Sequence, residues 1–178
     1  MGDVPVHVIG RERGLRRHQS LQATRLVHEH FGTIMLFVYS RVELGKLVDG
    51  RFHGEWKYLH RALFEVPEEK ATRALIELAL YIRLIDDDES RELSNYFGER
   101  VTLGEVIGLD GSREPLYIRE VANKIIHAAR YEWVFPTGDI DPRVVCFPNE
   151  DQAARGYKWA SATINVPNLG SFCGALAS

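Results

Sequence analysis

Three residues suited to acid–base chemistry and phosphate binding recur four positions apart in the second half of the chain. Arg119, Asn123 and His127 stand at i, i+4 and i+8 of a stretch with helical periodicity, and residues four apart are neighbours on one face of an α-helix. An imidazole with a pKa near its usual value of about 6.5 can take up or release a proton. A guanidinium can hold a phosphate through two parallel hydrogen bonds, and an amide can orient either group. Such a set could transfer a proton beside a bound phosphate.

Residues 123–127, Asn-Lys-Ile-Ile-His, resemble the end of the Arg-Asn-x-x-x-His signature of the HEPN superfamily, a group of helical domains that includes many toxin and defence ribonucleases. The resemblance implies a helical bundle that dimerises through the helix carrying the signature and acts on RNA without metal or cofactor. It implies His127 as the acid–base group, Asn123 as the orienting group and Arg119 as the phosphate contact. Ala122 stands where the family carries its arginine, and Arg119 is the nearest arginine before it.

Three functions are compatible with this pattern. The first is a HEPN-like, RNA-directed protein of toxin or phage-defence type that works as a metal-independent endoribonuclease. The second is a HEPN-like protein without catalysis that uses the same face to bind RNA or a partner protein, and Ala122 favours it. The third is a structural or interaction domain outside this superfamily, in which the aligned residues are an ordinary polar helix face.

Composition narrows the class of protein. The chain has 178 residues, of which 45% are hydrophobic, and this fits one globular domain with a sizeable core. Its net charge of −3 disfavours non-specific coating of nucleic acid as the main role, because such proteins carry a basic surplus. Cys146 and Cys173 are far apart and have no zinc-binding pattern, so we expect buried free thiols. The apolar run 31–39 is about half the length that spans a bilayer, and we expect a cytoplasmic protein that does not enter the membrane.

Hydrophobic periodicity predicts the helices that would position these residues. The motif helix is expected at 116–130, with an apolar stripe facing the core. Its polar side, which also carries Ile126 and Arg130, should be covered by another part of the chain, a second copy or a ligand. Further helices are predicted at 21–48, 54–65, 67–85 and 90–98, and the acidic run 86–89 is expected to begin a new segment because acids oppose the dipole at a helix C-terminus.

Alternating patterns predict the strands. Asp110-Gly111 indicates a two-residue hairpin within 101–117. Strands at 131–135, 143–147 and 157–166 should form an antiparallel meander, and a short helix should close the chain. The predicted fold is therefore α+β, mainly a HEPN-like helical bundle with a small meander after the motif helix. The whole chain, 1–178, is expected to be one domain, with an N-terminal arm at 1–17, the bundle at 18–130 and the meander and last helix at 131–178.

Overall fold

The fold is α+β, as predicted, with a helical layer packed on an antiparallel sheet. The computed structural model describes residues 6–52, 57–88, 101–149 and 158–176, and it describes side chains for 22–52, 58–87, 101–149 and 158–176. The helices are α1 (Val6–Arg51), α2 (Lys57–His60), which continues into a π-helical turn (Arg61–Glu65), α3 (Val66–Asp88), α4 (Ile118–Ile126) and α5 (Val166–Ala175). No helix in the described ranges is both long and apolar enough to cross a bilayer.

Five strands form a single sheet. They are β1 (Gly104–Gly108), β2 (Arg113–Leu116), β3 (Ala128–Val134), β4 (Arg143–Pro148) and β5 (Trp159–Asn165). The order across the sheet is β2-β1-β5-β4-β3, and every neighbouring pair is antiparallel. The predicted meander is thus confirmed as β3-β4-β5. The predicted hairpin is β1-β2, and it joins the same sheet because β1 pairs with β5.

The hairpin loop has three residues instead of the predicted two. The backbone N–H of Gly111 donates to the carbonyl of Gly108 at 3.0 Å, and Gly108 N–H donates to Ser112 O at 2.8 Å. Gly111 has a φ of 82°, which glycine adopts without steric cost. A tight turn closed by a glycine in this conformation is a common hairpin connection, and it leaves Asp110 to accept hydrogen bonds from Ser112.

The core lies between the helices and one face of the sheet. Alternate residues of the central strands are fully buried, among them Val144, Cys146 and Ile164, as the period-2 pattern of a half-covered sheet requires. The edge strand β3 also faces the helices, because Trp133 Nε1 donates to Thr72 Oγ1 at 3.1 Å and its ring meets Phe37 edge-on at 5.3 Å. Helix α1 meets α5 through His28, whose Nε2 hydrogen-bonds the carbonyl of Cys173 at 2.7 Å.

Several element boundaries differ from those predicted. Helix α1 takes in residues 6–17, which the sequence pattern assigned to an arm, and it runs through Gly50 to Arg51. A single helical glycine costs only about 1 kcal/mol, so α1 need not end there. Helix α2 and the π-helical turn together cover 57–65, while residues 53–56 and the helix predicted at 90–98 lie outside the described residues.

Candidate functional site

Helix α4 carries the three candidate residues, and it is shorter than predicted. It ends at Ile126 with His127 as its C-cap, and β3 begins at Ala128. The predicted helix over 116–130 was therefore wrong at its C-terminal end, where Ala129 and Arg130 belong to the strand. One physical reason is that the hydroxyl of Tyr131 donates to the carbonyl of Ile125 at 2.7 Å, which satisfies an acceptor of the last turn without further helix.

The apolar face of α4 points into the core. Ile118, Val121, Ala122 and Ile125 are buried, as the stripe predicted, whereas Ala129 is exposed on β3. Ile126 also packs against the core cluster instead of standing on the polar side. Ala122 is 0% exposed. The position that carries the arginine in the HEPN signature therefore faces the interior of this chain.

Arg119 forms an ion pair with the end of α3. Its Nη1 donates to Asp86 Oδ2 at 2.5 Å and to Asp87 Oδ1 at 3.2 Å. The carboxylate of Asp86 is only 3% exposed, against 29% for the side chain of Arg119. The hydrogen bond to Asp86 is the main cause that raises the pKa of Arg119, so this guanidinium stays cationic beside its two carboxylates.

This pairing explains how the acidic run can lie at the C-terminal end of α3. Asp86 and Asp87 lie in the last turn of α3, so the prediction that the run begins a new segment was wrong. Carboxylates in that position oppose the helix dipole. Here Arg119 offsets the cost from α4, and Arg83 offsets it from within α3, since its Nη2 lies 3.6 Å from Asp87 Oδ2.

Asn123 joins the same network. Its side-chain oxygen accepts a hydrogen bond from Nη1 of Arg83. Arg83 and Asp87 therefore link Asn123 to Arg119. The resulting polar cluster consists of five side chains from α3 and α4: Arg83, Asp86, Asp87, Arg119 and Asn123. The polar ridge of α4 is covered at these two positions by α3 of the same chain. Sequence reasoning missed Asp86 and Arg83 as partners, because 33 residues separate Asp86 from Arg119 and 40 separate Arg83 from Asn123.

His127 is the C-cap of α4, between this helix and β3. It is exposed, and its backbone N–H donates to the carbonyl of Asn123 at 3.0 Å. The structure thus brings Arg119 and Asn123 together around α3 and leaves His127 at the surface next to β3. Arg130 follows on β3, where it pairs with Glu132 and stacks over the ring of Phe147 at 3.8 Å.

A cleft beside the β1-β2 hairpin contains chemistry that the sequence did not single out. It encloses a volume of about 430 Å³. Among the residues that the structure describes, the charged residues that line it are Asp110 and Glu114 from the hairpin, Lys124 from α4 and Lys158 next to β5. The sequence pattern did not predict this cleft, because its residues come from segments that are distant in the chain and that the pairing of β1 with β5 brings together.

The described residues offer no evident metal centre, since none of their histidine, cysteine, aspartate and glutamate side chains form a group of three or more placed to hold an ion. Both cysteines are buried and free, as predicted, and burial raises the pKa of each thiol to about 12. A thiol so far from ionisation is a poor nucleophile at neutral pH.

Comparisons with protein-family models, curated proteins and solved structures find no match to this chain.

Proposed function

We propose that the chain is a HEPN-like binding protein that does not cleave RNA, and that the polar residues of α4 hold α4 against α3. The observation that carries this proposal is the pairing of Arg119 with Asp86 and Asp87. A guanidinium that already faces two carboxylates through its Nη1 has its charge offset within the chain, so it is poorly placed to receive a phosphate. The buried methyl group of Ala122 supports the same conclusion, because the position at which the HEPN signature has its arginine is apolar and closed to solvent in this chain.

A protein partner suits the surface better than RNA does. Leu36 on α1 is 75% exposed, and Leu80 and Leu84 on α3 are 50% and 53% exposed. Leu80 and Leu84 stand one helical turn apart, and neighbouring exposed apolar side chains favour contact with another protein surface. The net charge of −3 works against association with a polyanion.

A metal-independent endoribonuclease of toxin or phage-defence type is the second candidate. The exposure of His127 favours it, because a general acid or base must reach the proton that it transfers. In that function His127 would transfer the proton and Asn123 would orient the imidazole of His127. Arg119 would have to leave Asp86 and Asp87 to contact a phosphate.

RNA cleavage in the presence of a chelator distinguishes the two. The purified chain is incubated with structured and single-stranded RNA beside His127→Ala, and His60→Ala serves as the control at another exposed histidine. The proposal predicts no cleavage above background in any sample. Cleavage by the wild type and by His60→Ala that disappears in His127→Ala would establish the ribonuclease instead.

A further inference from the structure

The cleft beside the hairpin has charged groups of both signs around an apolar wall. Lys124 and Lys158 supply two positive charges, and Asp110 and Glu114 supply two negative charges. Val106 and Leu109 line the same space, whose volume of about 430 Å³ lies within the range of small-molecule sites. None of these residues belongs to the polar cluster between α3 and α4.

Lys124 is the group that most needs a partner in this cleft. Its Nζ lies 4.7 Å from the ring centroid of Trp159, and the ring is buried. Among the residues with described side chains, no carboxylate oxygen lies within 4.0 Å of Lys124 Nζ, the distance at which an ion pair forms. Burial lowers the pKa of Lys124, while the more distant charges of Glu120 and Glu114 raise it. A carboxylate that entered the cleft would offset the cost of this partly desolvated ammonium.

The two acidic groups differ in their availability. Asp110 Oδ1 already accepts from the backbone N–H and the hydroxyl of Ser112, at 2.9 and 2.6 Å, and these hydrogen bonds lower the pKa of Asp110. Its carboxylate is therefore fixed in the turn. Glu114 stands on β2 at the edge of the cleft and is exposed. It is the carboxylate best placed to receive a donor from a ligand.

We propose that this cleft binds a small zwitterion of the α-amino-acid class. The ligand carboxylate meets Lys124 and Lys158, the ligand ammonium meets Glu114, and an apolar side chain lies against Val106 and Leu109. A purely anionic ligand would face two carboxylates, and a purely cationic one would face two lysines. The balance of charge among the described lining residues therefore favours a molecule that carries both charges.

Isothermal titration of the wild-type protein with L-leucine and three analogues tests the proposal. Leucinamide keeps the ammonium and lacks the carboxylate, N-acetyl-leucine keeps the carboxylate and lacks the ammonium, and N-acetyl-leucinamide lacks both. Leucine should bind saturably, and each single deletion should weaken binding about 10-fold or more, which is the effect of losing one charge-assisted hydrogen bond.

Variants then assign each charge to its residue. Lys124→Met should weaken leucine binding about 10-fold while leucinamide binds as it does to the wild type. Glu114→Gln should weaken leucine in the same way and leave N-acetyl-leucine unchanged. Lys46→Met and Glu68→Gln, exposed changes on α1 and α3, should alter nothing. Circular dichroism establishes that each variant is folded.

The outcomes against the proposal are equally distinct. It is overturned if the wild type binds no leucine, if leucine and its two singly deleted analogues bind with the same affinity, or if Lys124→Met binds leucine as the wild type does. These measurements do not involve His127 or RNA, so their failure is separate from that of the proposed function.

Discussion

Ala122 stands where the HEPN signature that residues 123–127 resemble carries an arginine. The methyl group is buried between α4 and the rest of the core, so an arginine there would need space that the packing does not provide. The polar chemistry of α4 has to come from the other side of the helix. On that side Arg119 pairs with Asp86 and Asp87, and Asn123 accepts a hydrogen bond from Arg83, all residues of α3.

We predict that Ala122→Arg destabilises the protein and creates no ribonuclease. It would overpack a filled region and bury a charge without a partner, so the free energy of unfolding should fall by about 3 kcal/mol or more. The same substitution at exposed Ala129 is the control, and it should change stability by only about 0.5 kcal/mol. Urea denaturation measures both variants. Equal stability of the two would show that position 122 is open to solvent.

At the scale of elements, the seam between β1 and β5 joins the hairpin to the meander. Gly104 pairs with Ile164 across this seam. A Cβ atom on Gly104 would overlap the carbonyl oxygen of Thr163, which is backbone and cannot rotate away. The absence of a side chain at Gly104 is thus what lets the two strands approach, and the cleft with Lys124 depends on the position of the hairpin that follows.

Gly104→Ala should therefore weaken the whole sheet. We expect a loss of about 2 kcal/mol or more in the free energy of unfolding, together with altered amide signals along β1 and β5. Gly45→Ala in α1 is the matched control, because nothing lies within 4 Å of the added Cβ. It should stabilise the chain by about 0.5–1 kcal/mol through helix propensity. If Gly104→Ala were as well tolerated as Gly45→Ala, the close approach would be refuted.

The sequence predicted which helices and strands exist better than where they end and which other elements they contact. The apolar stripe of α4 and the alternation in β4 and β5 are local patterns, and a local pattern is visible to periodicity. The last turn of α4 is bonded by the hydroxyl of Tyr131, which follows the helix on β3, and the single sheet depends on a strand pair far apart in the chain. The partners of Arg119 and Asn123 could not be found for the same reason, since tertiary contacts decide which charge meets which.

At the scale of the whole molecule, two buried thiols and one partly buried phenol make the free energy of unfolding depend on pH in the alkaline range. Burial raises the pKa of Cys146 and Cys173 from 9.0 to about 12, and that of Tyr131 from 10.0 to about 12. Between these limits the unfolded chain has lost protons that the folded chain still holds. Stability from these groups is complete below about pH 9 and is lost as the pH rises toward 12.

The free energy of unfolding, measured by guanidinium chloride denaturation at a series of pH values, should accordingly decline from pH 9 upward. Replacing Cys146 and Cys173 by alanine should make this decline shallower, although each replacement lowers stability at pH 7. An identical slope in the cysteine-free variant would mean that the thiols are not the buried groups responsible.

Whether Arg119 is a structural cation or a catalytic one is decided most directly by a double-mutant cycle in unfolding free energy between Arg119→Met and Asp86→Asn. A structural pair predicts a clear favourable coupling in this cycle and a smaller coupling in the parallel cycle with the more exposed Asp87. Zero coupling between Arg119 and Asp86, with Arg119→Met as stable as the wild type, would contradict the account, because it would leave the guanidinium free for another purpose.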